Sequence, residues 1–426
     1  GPGGSDDTSP SAVWHVSFRA SDEDTDEAGA GDPAARAAAA AAEARANAGN
    51  DAWDVFGDSR AGGAGSDAPA RGGVGGGGVN DFTLGAGEGA PGDAPGAASP
   101  APPAPLSDVG DARYWTETLG AAVCGGDFSV VSDVSGFSGE SHRAEVTEKG
   151  YVWGDVVVPP ELTSRLAVAI ASAVKHGWPP AAVFLCDDAW RATAALWARA
   201  EAMLGCSAGE DEVVLEPSLA AFALDPAADK ARRRYVGNNF GVPHRDYAVK
   251  DVRRGGGGSS RSEKNDENDD RETEATPKPP PEVLSVWLPV VDVTPNNGCM
   301  YVVPVAHDAR DASTPPTFDR TGAIALAPAP AGSLMAWAGD TVHWGTACVA
   351  NLPANEQPRA SLAFVFRRRE ASCDARGAPL TKRECFGAPG GLSLKRRLEV
   401  VRHALTCFEH WYGDTRETRE RLTPDA

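Results

Sequence analysis

Two side chains that could bind a metal stand close together in the segment Tyr235-Val-Gly-Asn-Asn-Phe-Gly-Val-Pro-His-Arg-Asp-Tyr247. His244 and Asp246 are two residues apart, so both point to the same face of the strand if the segment is extended. A ferrous ion in an oxygenase takes two imidazoles and one carboxylate on one face, which leaves other positions open for a co-substrate and O2. The segment therefore predicts two of the three ligands of such an iron site.

A third ligand and a cation for the co-substrate are predicted further along the chain. Of the eight histidines, His343 follows a Gly-Asp turn in Gly339-Asp-Thr-Val-His343 and begins a predicted strand. Arg359 follows on the next predicted strand, and its guanidinium can hold the distal carboxylate of a 2-oxo-diacid through two parallel hydrogen bonds. Ser361 is expected on the same strand face, where its hydroxyl can add a hydrogen bond.

Short strands, together with two helices, are predicted to position these residues. Apolar residues at helical spacing predict helices from Pro159 to about Lys175 and from Asp188 to Leu204. Alternating or β-branched runs bounded by turn residues predict strands at 149–158, 213–215, 219–224, 284–291, 299–304, 332–337, 341–346 and 359–366. This order predicts a mainly β protein with supporting helices (α+β), built on a double-stranded β-helix or jelly-roll core.

The composition divides the chain into a tail and one domain. Residues 1–110 are predicted to form a largely disordered acidic tail rich in Gly, Ala and Pro, and residues 1–5 are expected to be the remnant of a cleaved tag. The domain is predicted over residues 111–426, with a flexible insert at 253–282 and a C-terminal helix at about 392–412.

The charge and the cysteine content restrict the partners and the compartment. Residues 1–146 carry a net charge of −16 and residues 147–426 a net charge of −4, so a nucleic-acid partner is not expected, while the acidic tail leaves a protein partner open. Eight scattered cysteines without a CxxC pair predict free thiols in a reducing compartment. No apolar run reaches the ~20 residues of a membrane span, so we expect a soluble intracellular protein, in the cytoplasm, with organelle targeting left open.

Several motifs in one order resemble the phytanoyl-CoA dioxygenase family of Fe(II)/2-oxoglutarate oxygenases, which has a cupin-like fold. The resemblance covers roughly residues 147–370. It departs from the family at Pro304-Val-Ala-His307, where Pro-Gly-Ser-His is usual, and at Trp344-Gly-Thr346, where small residues are usual. The motifs that carry it are Lys149-Gly-Tyr151, His244-Arg-Asp246, Asn297-Gly-Cys-Met-Tyr-Val-Val-Pro304, Gly339-Asp-Thr-Val-His343 and Arg359-Ala-Ser361.

The resemblance implies a reaction and a role for each motif. His244, Asp246 and His343 would hold Fe(II), Arg359 would anchor the C5 carboxylate of 2-oxoglutarate, and O2 would be the second co-substrate. The reaction would release succinate and CO2 and hydroxylate a small-molecule or lipid-type substrate. Related halogenases have a small residue in place of the carboxylate, so Asp246 favours hydroxylation. Further contacts are predicted for the co-substrate at Ser361, Asn239 and Thr346, and for the substrate at Tyr247, Asn238 and Trp344.

Two other functions remain open at this point. The first is an oxygenase that acts on a macromolecule, such as a protein side chain or a modified nucleobase, for which the tail would serve in docking. The second is a binding protein that keeps an inactive jelly roll. The complete set of two histidines, one aspartate and one arginine argues against the second.

Overall fold

The predicted domain forms a layered structure of helices and two sheets. The computed structural model describes residues 108–126, 128, 139–206, 212–224, 243–249, 278–311, 316–349, 351–371, 376–412 and 415–423. The predicted tail at 1–110 lies outside the described residues except for its last three residues, and the predicted insert at 253–282 lies outside them up to residue 277. The division into tail, domain and insert thus stays a prediction.

Eight α-helices occur in the part of the chain that the structure describes. They are α1 Ala112–Leu119, α2 Gly139–Lys149, α3 Pro160–Lys175, α4 Asp187–Leu204, α5 Lys382–Phe386, α6 Leu394–Cys407, α7 Glu409–Tyr412 and α8 Arg416–Arg421. Helix α3 begins at Pro160. Proline is well tolerated there, because the backbone N–H groups of the first helical turn have no partner within the helix and proline therefore loses no hydrogen bond. The hydroxyl of Ser393 accepts a hydrogen bond from the backbone N–H of Arg396 and so caps α6, while α4 ends at Gly205 in the left-handed conformation.

Two antiparallel sheets carry the functional residues. The ten strands of the described residues are β1 Tyr151–Val156, β2 Val213–Leu215, β3 Ala220–Ala223, β4 Val283–Pro289, β5 Met300–Val302, β6 Ile324–Ala325, β7 Ser333–Ala338, β8 His343–Gly345, β9 Ala360–Arg368 and β10 Leu380–Thr381. The major sheet has the order β1-β7-β4-β9-β2-β10, and β3 also pairs with β9. The minor sheet has the order β6-β5-β8.

Strand alternation gives the major sheet two different faces. Along β4, Leu284 and Val286 belong to the large hydrophobic cluster that includes the helices, whereas Trp287 belongs to the cluster shared with the minor sheet. On the helical side the Phe364 ring meets Phe184 edge-on at 5.8 Å between centroids. Burial of each such side chain contributes about 1.5–3 kcal/mol, so this face is the main stabilising contact of the domain.

The predicted jelly-roll core and its supporting helices are confirmed, with three differences in detail. The predicted strand at 341–346 is shorter, because only residues 343–345 pair with β5. The strand predicted at 359–366 continues to Arg368, where it pairs with Val213. The helix predicted at 392–412 is interrupted at Phe408, whose backbone leaves the helical conformation between α6 and α7.

The described residues also bear on the membrane and cysteine predictions. None of their helices combines the length and the apolar character that a membrane crossing requires. The seven cysteines among them are all free thiols, as predicted, and Cys373 lies outside the described residues.

Candidate metal centre and its cavity

The segment around His244 lies beside strand β8 and extends the minor sheet. The backbone N–H of His244 donates to the carbonyl of His343 at 3.1 Å, and the reverse hydrogen bond is 3.0 Å long. A second contact joins the same two segments: the carbonyl of Gly339, four residues before His343, accepts a hydrogen bond from the backbone N–H of Tyr247 at 2.9 Å. Two segments about a hundred residues apart are therefore aligned so that their histidines are direct neighbours.

The three predicted metal ligands come together in one place. One donor atom from each of His244, Asp246 and His343 lies within 4.8 Å of the others. The Nε2 atom of His343 is 3.6 Å from Asp246 Oδ2, and the Nε2 atom of His244 is 3.8 Å from Asp246 Oδ1. The two imidazole rings are 4.4 Å apart between centroids. These distances leave room for one ion bound to two nitrogens and one oxygen.

The protonation of this cluster fits a divalent metal. The Nδ1 atom of His343 lies 3.0 Å from the carbonyl of Thr341, which can only accept, so Nδ1 carries the proton and Nε2 is free to bind a metal. Burial lowers the pKa of His343 to about 4, which keeps the ring neutral at pH 7. Burial would raise the pKa of Asp246, but the neighbouring histidines, Arg376 and a 2.6 Å hydrogen bond from Ser285 Oγ lower it to about 2.

The residue between the two candidate ligands fixes their strand from the other side. The guanidinium of Arg245 donates to both carboxylate oxygens of Asp308 and to the carbonyl of Asp340 at 2.6 Å. Asp308 is buried, and it also accepts a hydrogen bond from the backbone N–H of Arg310. Because the Arg245 side chain is anchored here, the side chains of His244 and Asp246 project from the opposite face of the segment.

A cavity between the two sheets opens onto this cluster. It comprises about 770 Å³ of space between the atoms, including the part open to solvent. The major sheet forms its floor, and the minor sheet and the C-terminal segment cover it. The lining residues besides the cluster include Ser218, Phe222, Ser285, Trp287, Met300, Trp337, Gly345, Arg359, Arg376 and Trp411.

The predicted co-substrate anchor, Arg359, is a buried cation inside this cavity. Its side chain donates to the carbonyl of Gly298 and lies over the ring of Trp287 at 5.5 Å. Among the described residues no carboxylate lies within salt-bridge distance of it, and its Nε has no hydrogen-bond partner there. Burial lowers the pKa of Arg359 to about 10. A Cβ at Gly345 would come within 2.9 Å of Nη1, so a larger residue at 345 would displace the guanidinium. The arrangement can accept an anion.

Ser361 and Thr346, the other predicted co-substrate contacts in the described residues, differ in position. Neither residue is part of the cavity lining. Ser361 is buried on the same strand face as Arg359, and its hydroxyl has no hydrogen-bond partner in the described part. The hydroxyl of Thr346 donates to the carbonyl of Cys299 at 3.1 Å. The fold therefore occupies the hydroxyl of Thr346 but not that of Ser361.

Two of the three predicted substrate contacts, Trp344 and Tyr247, lie outside the cavity lining. Trp344 follows His343 on β8 and points to the other face of the strand, where it stacks on Tyr301 at 5.3 Å. Tyr247 is buried beneath the guanidinium of Arg376, 4.8 Å away. Asn238 and Asn239 lie outside the described residues.

Several cavity residues were not predicted from the sequence. Trp287 and Trp337 lie on the inner face of the major sheet, and the ring of Trp337 packs against that of His343 in a tilted arrangement, with 4.6 Å between centroids. Alternation along predicted strands 284–291 and 332–337 could have found both, because they share a face with Ser285 and Met335. Arg376 and Trp411 have no comparable spacing, since they reach the cavity only through the packing of distant segments.

Comparisons with known proteins agree with the resemblance found in the sequence. The family model described as phytanoyl-CoA dioxygenase (PhyH) matches residues 147–349. A search of curated proteins found no match.

Solved structures with a similar fold share little sequence identity with this chain. The non-heme alpha ketoglutarate dependent epimerase SnoN from nogalamycin biosynthesis is 17% identical, with 54% of this chain and 82% of that chain covered and a TM-score of 0.36. The non-heme monooxygenase ThoJ, in complex with nickel, is 14% identical, with 64% and 99% covered and a TM-score of 0.40. EvdO2 from Micromonospora carbonacea var. aurantiaca, complexed with 2-oxoglutarate, is 17% identical, with 58% and 96% covered and a TM-score of 0.36.

The family match includes the segments that carry His244, Asp246 and His343, and it ends before Arg359. Fe(II) and 2-oxoglutarate are the cofactor and co-substrate of this family, and the donor set of the cluster fits that metal. Residues 147–349 thus match the phytanoyl-CoA dioxygenase family, and this match together with the donor cluster supports a 2-oxoglutarate-dependent oxygenase.

Proposed function

We propose that this oxygenase hydroxylates a small organic molecule while it converts 2-oxoglutarate to succinate and CO2. One observation carries the proposal. The cluster of His244, Asp246 and His343 opens onto the same cavity as Arg359, a buried arginine without a carboxylate partner in the described residues. A buried guanidinium without an anion is costly, so this site favours a ligand that brings a carboxylate.

Each residue of the site has a distinct task in this proposal. His244, Asp246 and His343 would hold the iron, and Arg359, with Ser361 beside it, would bind the distal carboxylate of 2-oxoglutarate. When bound, the iron and 2-oxoglutarate together supply the activation of O2 that oxidises a substrate C–H bond. The protein contributes position, charge and the exclusion of water.

Neighbouring side chains keep the candidate ligands ready. The Ser285 hydroxyl holds one carboxylate oxygen of Asp246, which fixes the plane of the carboxylate. The Thr341 carbonyl fixes the tautomer of His343, and the ring of Trp337 covers one side of that imidazole. The aromatic lining limits the water that reaches the cluster.

The lining and the ligand set support the choice of substrate and reaction. Asp246 occupies the carboxylate position, so no space is left there for a halide, which favours hydroxylation over halogenation. The cavity lies between the two sheets, and its walls are mainly apolar and aromatic, as is usual for sites that bind small organic molecules. These features favour a small organic substrate over a macromolecule.

Succinate release tests the proposal without knowledge of the product. The full chain would be incubated with Fe(II), 2-oxoglutarate, O2 and a library of small organic molecules. We expect at least one compound to raise succinate release above the level without a substrate, and His343→Ala to remove the increase. Arg383→Gln, a change at an exposed residue, serves as the matched control and should behave like wild type. Release that is equal in wild type and His343→Ala would refute the assignment.

A further inference from the structure

A second arginine, Arg376, faces the cavity at a different place from Arg359. Its Nη2 atom donates to the backbone carbonyl of Asp246 at 2.6 Å, and its guanidinium lies 4.8 Å above the ring of Tyr247. The backbone N–H of Arg376 donates to the carboxylate of Glu216 at 2.8 Å. The main chain and the side chain are thus both fixed, and the cation is held beside the candidate metal ligand.

The guanidinium of Arg376 lies near the carboxylates of Asp246 and Glu216 but forms no direct salt bridge in the part of the chain that the structure describes. Among the described residues no carboxylate lies within salt-bridge distance of its guanidinium, although the structure places it at the cavity lining. The nearby carboxylate of Glu216 is already paired with the guanidinium of Arg367. Arg376 therefore presents a positive charge to the cavity. One nitrogen of its guanidinium, Nη2, is occupied by the hydrogen bond to the carbonyl of Asp246.

A buried hydroxyl without a partner in the described residues also belongs to the cavity lining. Ser218 is 2% exposed, lines the cavity, and its Oγ has no hydrogen-bond partner in the described part of the chain. The next residue back, Pro217, packs against the backbone of Gly377, where a Cβ would lie 3.0 Å from Pro217 Cγ. Arg376 and Ser218 are thus brought together by adjacent contacts, and an unpaired buried hydroxyl is costly unless a ligand satisfies it.

Two aromatic side chains belong to the same cavity lining. Phe222 on β3 and Trp411 on α7 both line the cavity and meet edge to face at 5.9 Å. The segment that carries Trp411 is anchored to β3, because the Tyr412 hydroxyl accepts from the N–H of Ala221 at 3.0 Å and donates to its carbonyl at 2.8 Å. The cavity lining therefore combines a cation, a hydroxyl and an apolar surface.

The two arginines occupy different places in the cavity. Arg359 contacts Gly298 and Trp287, whereas Arg376 contacts Asp246 and Tyr247. One guanidinium is enough to bind the distal carboxylate of 2-oxoglutarate, so a second cation in the lining can bind a further anionic group.

We infer that Arg376 and Ser218 bind an anionic group of the substrate, whose apolar part packs on Phe222 and Trp411. The inference rests on the proposed function and narrows the substrate to organic acids or phosphate or sulfate esters. A carboxylate and a phosphate ester would use the same guanidinium and hydroxyl donors.

Three probes that share the same phenylpropyl group and differ in their head group test this inference. They are 4-phenylbutyrate, 3-phenylpropyl phosphate and the neutral 4-phenylbutyramide. Calorimetric titration would use the full chain saturated with Mn(II) and 2-oxoglutarate. We expect one or both anions to bind, and the amide to bind at least tenfold more weakly. The anion that binds with the lower Kd shows whether the site prefers a carboxylate or a phosphate ester.

Substitutions then locate the anion. Arg376→Gln should weaken anion binding roughly 10- to 100-fold, as expected for a charge-assisted hydrogen bond, and Ser218→Ala should weaken it about fivefold, as expected for a neutral one. Arg383→Gln, at an exposed position, is the control and should leave binding unchanged. Because Arg376 also contacts Asp246, the Mn(II) affinity of each variant is measured, and Ser218→Ala decides the result if Arg376→Gln binds Mn(II) poorly.

Several results would overturn the inference. Equal affinity for the amide and the anions, unchanged binding in Ser218→Ala and Arg376→Gln, or no binding of any probe would each do so. Competition of the anion with 2-oxoglutarate, together with loss of binding in Arg359→Gln, would place it in the co-substrate site instead. If the protein bound no 2-oxoglutarate at all, the proposed function itself would fail, which is a separate observation in the same titration.

Discussion

Replacing Arg359 by methionine or lysine separates its proposed role in binding from a role in folding. Methionine has a similar length and is apolar, so it can fill the space beside Trp287 and Met300 without a charge. Lysine keeps the charge but loses the planar fork that matches a carboxylate. If Arg359 holds the distal carboxylate of 2-oxoglutarate, both variants should bind this co-substrate more weakly, and methionine should have the larger effect.

The size of the effect follows from the burial of the guanidinium. Removal of one partner of a buried, hydrogen-bonded charge pair costs about 2–5 kcal/mol, which is roughly 30- to 5000-fold in Kd. Arg359→Met should fall in this range. Arg359→Lys should lose roughly tenfold, the value of one charge-assisted hydrogen bond.

The same burial predicts the opposite effect on the stability of the ligand-free protein. Burial lowers the pKa of Arg359 to about 10, so the charged form is less favourable in the folded state at every pH below that value. At pH 7 this penalty is about 3 kcal/mol, and the hydrogen bond to Gly298 offsets about 1–2 kcal/mol of it. The free energy of unfolding of Arg359→Met should therefore be equal to that of wild type or about 1–2 kcal/mol higher.

Two assays measure these effects on the same preparations. Calorimetric titration of 2-oxoglutarate into Mn(II)-loaded protein gives the Kd, and urea denaturation without ligand gives the free energy of unfolding. Arg383→Met, at an exposed position, controls for the loss of one positive charge. The reasoning is refuted if Arg359→Met binds 2-oxoglutarate within threefold of wild type. A variant that is more than 2 kcal/mol less stable would show that the arginine is a structural residue.

Three further predictions concern the support of the site. Ser285→Ala removes the hydrogen bond to Asp246, so the Mn(II) affinity should fall roughly 10- to 100-fold in a metal titration, and an unchanged affinity would contradict this role. Arg245→Gln leaves the buried carboxylate of Asp308 without its partner, so urea denaturation should show a loss of about 3–5 kcal/mol; a loss below 1 kcal/mol would show that this ion pair is dispensable. Deletion of residues 6–105 should leave 2-oxoglutarate consumption without a substrate intact, and a failure to fold would mean that this segment is part of the domain.

The strands and the ligand cluster could be predicted because they depend on local patterns. The two-residue spacing of His244 and Asp246, and the turn before His343, are visible in the sequence, and the structure brings the three side chains together. The same alternation would have separated Trp344 and Thr346 from the cavity, since both have the opposite parity to His343 on one strand.

The remainder of the cavity could not be predicted, because it is formed by tertiary packing. Arg376 has no spacing relation to the cluster, and Trp411 reaches the cavity only because Tyr412 is bonded to strand β3. The break at Phe408 that turns α7 toward the cavity also lacks a glycine or proline in the sequence to mark it. These residues are nevertheless the ones on which the inferred substrate contacts depend.

Anaerobic titration of the protein with Fe(II) and 2-oxoglutarate tests the central claim most directly. An iron held by His244, Asp246 and His343, with 2-oxoglutarate chelated through its keto acid, should give a weak visible charge-transfer band that is absent in His343→Ala. Circular dichroism of the same samples would establish that both proteins are folded. A folded wild-type protein that gives no band, or a variant that gives the same band, would contradict the claim that these three residues hold the iron.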